Sequence, residues 1–171
     1  MSEIGHLSRR AALSGAAALA VLPTLACSKE PSASTATEQG QSAAVTLPPM
    51  TVHKDPGCPC CDAWADLARQ AGFSVRIVEQ QDMPAIKRIL GVPETDWSCH
   101  TTEVAGLAIE GHVPLVHVRA ALAQRTPTLA GLAVRGMPRG SPGMEMPDGT
   151  NDAFDVLAFD KQGNTRVFAK G

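Results

Sequence analysis

The chain has 171 residues, of which 44% are apolar, and it carries a formal net charge of −2 at pH 7. This length suits one folded domain with an additional terminal segment. A slightly acidic chain without a run of basic residues is a poor candidate for binding nucleic acid or an anionic membrane surface.

The first 26 residues have the composition of an export signal. Arg9 and Arg10 precede an apolar, alanine-rich stretch, 11–26, that is too short for a comfortable membrane span. We therefore predict that residues 1–26 are a signal peptide. The paired arginines fit a loose twin-arginine signal, although such pairs also occur in ordinary signals, so both export routes stay open.

The segment Thr24-Leu25-Ala26-Cys27 resembles a bacterial lipobox. We expect lipidation at Cys27; the alternative is ordinary cleavage after Ala26, which leaves Cys27 as an unmodified thiol. In both cases the predicted location is the periplasm or the cell envelope, with membrane contact only through a lipid anchor.

Residues 27–49 are rich in Ser, Thr, Ala, Gln, Glu and Pro and contain no aromatic residue. Such a segment cannot bury enough apolar surface to fold, so it is predicted to be a flexible tether. The folded domain is then predicted to span residues 50–171.

The first half of this domain is predicted to alternate between strands and helices. Gly72 suits the C′ position of the first helix, and Asp82 can cap the second, whose apolar face would hold Ile86, Ile89 and Leu90. The predicted elements are strand 50–54, a helix from about 62 to 71, strand 73–77 and a helix over 82–90.

The second half is predicted to contain strands at 101–104 and 107–112, a helix over 115–122, a Gly- and Pro-rich loop over 131–149, and a hairpin of 155–159 and 165–168. The order β-α-β-α-β-β-α, with a C-x-x-C at the first strand-to-helix junction, is the thioredoxin or glutaredoxin pattern. We therefore predict an α/β, thioredoxin-like fold with a Met-bearing loop and a C-terminal β-hairpin.

Cysteines provide the main functional signal. Cys58 and Cys61 form a C-x-x-C pair, and Cys60 lies between them. A redox dithiol needs only two sulfurs, whereas soft metal ions bind thiolates in sets of three or four. In a thioredoxin-like topology Cys99 enters the third strand opposite the first helix, so we expect it to meet this cluster. A helix N-terminus would also favour the thiolate form.

Four thiolates suit Cu(I) or Zn(II), but disulfides remain an alternative in an exported protein. Adjacent Cys60 and Cys61 would pair only under strain, so a scheme with two disulfides would link Cys99 to one of the cluster. Redox chemistry at Cys58 and Cys61 is a second alternative.

Methionine and histidine add candidate ligands. Thioethers bind Cu(I) and contribute little to Zn(II), so Met137 and Met144, and less strongly Met146, favour copper. His100 directly follows Cys99; in an extended segment the two side chains would point to opposite faces, whereas an irregular turn would let both reach the site.

Four ordered motifs make the chain similar to the CopG-like family of periplasmic metal-binding proteins. They are Gly-Cys58-Pro-Cys60-Cys61, Ser98-Cys99-His100-Thr101, Ile109-Glu-Gly-His112-Val-Pro114 and Gly136-Met137-Pro-Arg-Gly-Ser-Pro-Gly-Met144-Glu145. The resemblance implies a thioredoxin-like fold, copper as the metal and a role in copper resistance, with redox cycling of the bound copper. It also implies other periplasmic copper-handling proteins as partners, and it adds His112 to the candidate ligands.

The leading hypothesis is therefore a cell-envelope protein that binds one or several Cu(I) ions through Cys58, Cys60, Cys61 and Cys99. The alternative is a thiol–disulfide oxidoreductase that uses Cys58 and Cys61. A structural Zn(II) domain is the weakest hypothesis, because a chain of this length should fold without a metal. Whether the protein is an enzyme stays open at this point.

Overall fold

The computed structural model describes residues 46–171. The predicted signal peptide, Cys27 with its predicted lipidation, and most of the predicted tether lie outside the described residues. Within residues 46–171, no helix has the length and apolar character needed to cross a membrane.

The described residues form three helices, one short 3₁₀ turn and seven strands. The sheet order is β2-β1-β3-β4-β5-β6-β7. The elements are β1 Met50–Lys54, α1 Pro59–Gln70, β2 Val75–Glu79, α2 Met83–Ile89, the 3₁₀ turn Glu94–Asp96, β3 His100–Val104, β4 Leu107–Glu110, α3 Leu115–Ala123, β5 Leu129–Ala133, β6 Asp155–Asp160 and β7 Thr165–Lys170.

The first four strands confirm the thioredoxin-like prediction. β1 pairs parallel with β2 and antiparallel with β3, and β3 pairs antiparallel with β4. The predicted C-terminal hairpin is β6–β7, and it joins the same sheet through β5. The α/β fold is thus a four-stranded thioredoxin-like sheet with three further strands on one edge.

Both faces of the sheet are covered. Ile109 of β4 belongs to the same buried cluster as Trp64 of α1 and Val118 of α3. Its neighbour Ala108 belongs to a second cluster, together with Phe159 of β6. Successive residues of a strand point to opposite faces, so the two clusters lie on the two sides of the sheet. The larger cluster lies beneath α1, the helix that begins at the C-x-x-C motif.

The strand β5 was not predicted, and it includes residues 131–133 at the start of the predicted loop over 131–149. Gly131 lies within β5, opposite Ala108 of β4. A Cβ atom at this position would lie 1.9 Å from the carbonyl oxygen of Ala108. Glycine weakens a strand taken by itself, but here close packing between neighbouring strands requires it.

The predicted apolar face of α2 was also partly wrong. Ile89 is 78% exposed, and the buried side chains of this helix are Met83 and Lys87. Asp82 does cap the helix, because its side chain accepts a hydrogen bond from the backbone N–H of Ala85 at 3.0 Å.

Candidate metal centre

The helix α1 begins earlier than predicted, at Pro59 and not near Asp62. Pro59 lacks an N–H and is well suited to the first position of a helix, where that N–H would have no partner. Cys58 is the N-cap, and Cys60 and Cys61 lie in the first turn. All three cysteines therefore lie at the positive end of the helix dipole.

The structure brings Cys99 to these three cysteines, as the topology predicts. The Sγ atoms of Cys58, Cys60, Cys61 and Cys99 all lie within 4.8 Å of one another. Cys58 and Cys61 form a disulfide, and Cys60 and Cys99 are thiols. The disulfide thus joins the C-x-x-C pair, and Cys99 takes no part in it. Cys60 Sγ lies 3.5 Å from Cys58 Sγ.

The donor set fits a soft metal ion. Sulfur ligands about 2.3 Å from a tetrahedral ion lie about 4 Å apart. The four sulfurs, all within 4.8 Å of one another, could therefore surround one ion once the disulfide of Cys58 and Cys61 is reduced and these two sulfurs separate. In the reduced protein all four thiols would be available, and thiolates select Cu(I) or Zn(II) over harder ions.

A second group of donors shares Cys99. Cys99 Sγ, one nitrogen of His100 and one nitrogen of His112 also lie within 4.8 Å of one another. His112 Nε2 is 3.0 Å from Cys99 Sγ, and His112 Nδ1 is 2.8 Å from the carbonyl oxygen of Pro142. Since Nδ1 must carry the hydrogen that this carbonyl accepts, neutral His112 presents the lone pair of Nε2 to the sulfur. Metal-binding histidines are oriented in this way by a backbone acceptor.

His100 also contacts the sulfur of Cys99. Its Nδ1 lies 3.3 Å from Cys99 Sγ. Because β3 begins at His100, Cys99 lies outside the regular strand and the alternation of faces does not apply to this pair. Of the two arrangements considered from the sequence, the irregular one is therefore found, and the two side chains converge. His100 Nε2 is buried without a hydrogen-bond partner among residues 46–171.

Burial keeps these groups uncharged in the metal-free protein. Desolvation, followed by the neighbouring Cys60, raises the pKa of Cys99 to about 12. Desolvation also lowers the pKa of His112, and it lowers the pKa of His100 well below the usual range, with help from His112 and Lys87. A neutral Cys99 thiol thus faces neutral imidazoles, and metal binding must release the thiol proton.

The depressed pKa of His100 predicts that the metal-free protein loses stability in acid. The unfolded chain takes up a proton at His100 below about pH 6.5, whereas the folded chain does not. The stabilising contribution is therefore present above about pH 6.5 and is lost as the pH falls, by about 1.4 kcal/mol per pH unit. Urea unfolding at a series of pH values from neutral to mildly acidic measures how the free energy of unfolding changes with pH. This free energy should fall less steeply with decreasing pH for His100→Phe than for wild type. An equal pH dependence of the unfolding free energy in the two proteins would mean that His100 takes up a proton in the folded state as readily as in the unfolded state.

A buried ion pair, which the sequence interpretation missed, supports the segment around Cys99. Glu110 is fully buried and accepts hydrogen bonds from Lys87 Nζ and the backbone N–H of Ser98, both at 2.5 Å. It also accepts one from Thr101 Oγ1 at 2.6 Å. Desolvation raises the pKa of Glu110, and Lys87 opposes that rise. Glu110 thereby fixes the chain on both sides of Cys99.

The Met loop, defined here as residues 134–154 between β5 and β6, is held near the cluster by two hydrogen bonds. Ser98 Oγ donates one to the carbonyl oxygen of Gly136, and His112 Nδ1 donates the other to that of Pro142. His112 is itself one of the second group of donors, and Ser98 directly precedes Cys99 of that group. Both hydrogen bonds therefore hold the loop next to these donors.

The loop also packs closely on α1. Gly143 has a φ of +83°, and a Cβ atom there would lie 2.8 Å from the backbone nitrogen of Trp64. Only glycine combines this backbone conformation with so short an approach. The loop is therefore held against the helix that carries the three clustered cysteines.

The three loop methionines occupy different positions. Met144 and Met146 line a cleft together with Cys60. Met137 is 53% exposed and does not line this cleft. The geometry therefore relates Met144 and Met146 to the cysteine cluster more directly than it does Met137.

Comparison with known proteins identifies structural relatives. Two solved structures of the copper resistance protein CopG, Form 2 and Form 1, match with a TM-score of 0.68 each and identities of 38% and 39%. Each match covers 73% of this chain and 98% of the CopG chain. A family model described as "Protein of unknown function, DUF411" matches residues 96–144. No curated protein sequence matches the chain.

Proposed function

Because this chain belongs to the CopG family, we propose that it is a copper-binding protein of the cell envelope that acts in copper resistance and holds Cu(I) in its cysteine cluster. The observation that carries the proposal is the convergence of four sulfurs within 4.8 Å of one another. The proposed ligands are Cys58, Cys60, Cys61 and Cys99, and the proposal takes them in their reduced form.

The imidazoles beside Cys99 extend the proposal to more than one ion and to copper redox chemistry. Thiolates favour Cu(I), whereas imidazole also serves Cu(II). His112, oriented by Pro142, and His100 place two such nitrogens beside a sulfur that also belongs to the four-cysteine set. Cys99 is thus suited to bridge two neighbouring ions.

Export, lipidation at Cys27 and transfer of copper to other periplasmic proteins are further parts of this proposal. The similarity to copper resistance proteins supports a role in copper handling, and the signal-like sequence of residues 1–26 supports export. Zinc is the lesser alternative, because loop thioethers add little to a Zn(II) site.

Anaerobic titration of the reduced protein with Cu(I), against a competing chelator, tests the proposal. We expect tight binding by wild type and much weaker binding by Cys58→Ser/Cys61→Ser, because the double variant loses half of the sulfur ligands. Equal affinity of the two proteins would contradict the proposed site. A parallel titration with Zn(II) measures the preference between the two metals.

A thiol–disulfide oxidoreductase is the second candidate function, because Cys58 and Cys61 form a disulfide at the start of α1. Cys60 separates the two functions, since a dithiol mechanism does not need it. The oxidoreductase would be favoured if Cys60→Ser turned over a disulfide substrate as readily as wild type and if the wild-type protein did not bind Cu(I).

A further inference from the structure

A cleft on the surface borders the cysteine cluster at Cys60. Pro59, Cys60 and Ala63 of α1 line one side, and residues 143–146 of the Met loop line the other. We call it the uptake cleft. Cys60, Cys58 and Cys99 are partly buried and Cys61 is fully buried, and among these four cysteines it is Cys60 that lines the cleft. Cys60 therefore connects the outside of the protein with the interior of the site.

The cleft is a built feature of the fold. Gly143 approaches the backbone of α1 so closely that a Cβ atom would lie 3.0 Å from the carbonyl oxygen of Cys60. The backbone N–H of Gly143 donates a hydrogen bond to the side chain of Glu145 at 2.9 Å, which fixes the turn that carries Met144. The segment bearing both thioethers is thus held beside the first turn of α1.

The chemistry of the lining suits a soft cation that arrives from solvent. Met146 is 37% exposed, so packing in the core does not account for its thioether. A neutral thioether is a soft ligand without the charge of a thiolate, so it can receive Cu(I) and release it again. The exposed Glu145 adds negative charge beside the cleft, and its hard carboxylate does not compete for Cu(I).

We propose that the uptake cleft is where Cu(I) first binds, with Met144 and Met146 receiving the ion and passing it to Cys60. This inference rests on the proposed function. In the step, one thioether–copper bond breaks as the Cys60–copper bond forms, the Cys60 thiol gives its proton to water, and copper remains Cu(I). Cys60 is a thiol while Cys58 and Cys61 are joined, so it can accept the ion in either redox state of that pair.

The four cysteines already supply a full tetrahedral set, so the two methionines govern the rate of loading and not the final affinity. Stopped-flow transfer of Cu(I) from a coloured chelator to the reduced full-length protein, without air, measures that rate. Leucine has nearly the volume of methionine, so Met144→Leu/Met146→Leu keeps the packing of the loop. We expect loading about tenfold slower than in wild type, with the equilibrium affinity within about threefold.

The matched control is Met137→Leu, which changes an exposed methionine of the same loop that does not line the cleft. It should load at the wild-type rate. Wild-type loading by the double variant would overturn the inference, as would equal slowing by Met137→Leu. A loss of affinity as large as the loss of rate would make the methionines resident ligands and overturn it too. Wild-type protein that binds no Cu(I) would overturn the proposed function together with this inference.

Discussion

Replacing Cys99 with serine is expected to weaken Cu(I) binding by about 100- to 1,000-fold, the equivalent of roughly 3 to 4 kcal/mol. Four sulfur ligands share the binding free energy of the proposed site, and Cys99 also belongs to the second donor group. Its Sγ lies within 4.8 Å of the three α1 sulfurs and of a nitrogen on each of His100 and His112. Serine offers a hard oxygen donor that a soft ion does not favour.

The anaerobic competition titration measures this effect. Cys27→Ser is the control, because Cys27 is not among the proposed ligands and its replacement should leave the affinity unchanged. The disulfide of Cys58 and Cys61 does not involve Cys99, so a dithiol enzyme would tolerate Cys99→Ser. Wild-type affinity in Cys99→Ser would exclude the four-sulfur site. Lost binding with retained disulfide turnover would show that both functions reside in one protein.

The meeting of the cysteines could be predicted from the sequence because it follows from topology. A C-x-x-C shortly after β1 lies at the start of α1, and β3 runs beside β1 in this fold. Lys54 at the end of β1 pairs with His100 at the start of β3. Cys99 directly precedes His100 in the chain, so it lies next to the end of β1 and therefore close to the cluster that follows β1.

The positions of the histidine and methionine donors could not be predicted in the same way. His100 converges with Cys99 only because β3 begins at His100, and strand boundaries are poorly defined by sequence. The Met loop takes its position from hydrogen bonds with Ser98 and His112, which are distant in sequence. Periodicity describes neighbours along one element, so it gives no information on such contacts.

The buried face of α2 shows the same limit. Apolar spacing assigned Ile89 to the buried face, whereas in the structure Ile89 is exposed and Lys87 is only 4% exposed. A lysine is rarely buried unless it is paired, and its partner Glu110 lies on β4. The sequence could not reveal that pair, because it is formed only when α2 packs on the sheet.

Breaking the ion pair of Lys87 and Glu110 is expected to cause the largest loss of stability among the variants considered. Lys87→Met would leave the Glu110 carboxylate in the core without its cation, and breaking a buried pair in this way costs about 3 to 5 kcal/mol. Urea unfolding of the metal-free, reduced protein measures the loss. Since burial already raises the pKa of Glu110, the difference in stability between wild type and the variant should shrink in mild acid, where the carboxyl of the variant takes up a proton.

Two further variants show whether the stability loss of Lys87→Met comes from the unpaired charge of Glu110 or from altered packing. Lys87→Met/Glu110→Gln removes both charges and keeps an oxygen for the Ser98 N–H, so it should be more stable than Lys87→Met alone. Lys170→Met is the matched control, because Lys170 pairs with Asp155 while its side chain is 77% exposed, and its loss should be below about 1 kcal/mol. If Lys87→Met cost no more than Lys170→Met, the pair would not support the fold. A double variant as unstable as Lys87→Met would place the cost in packing and not in the unpaired charge of Glu110.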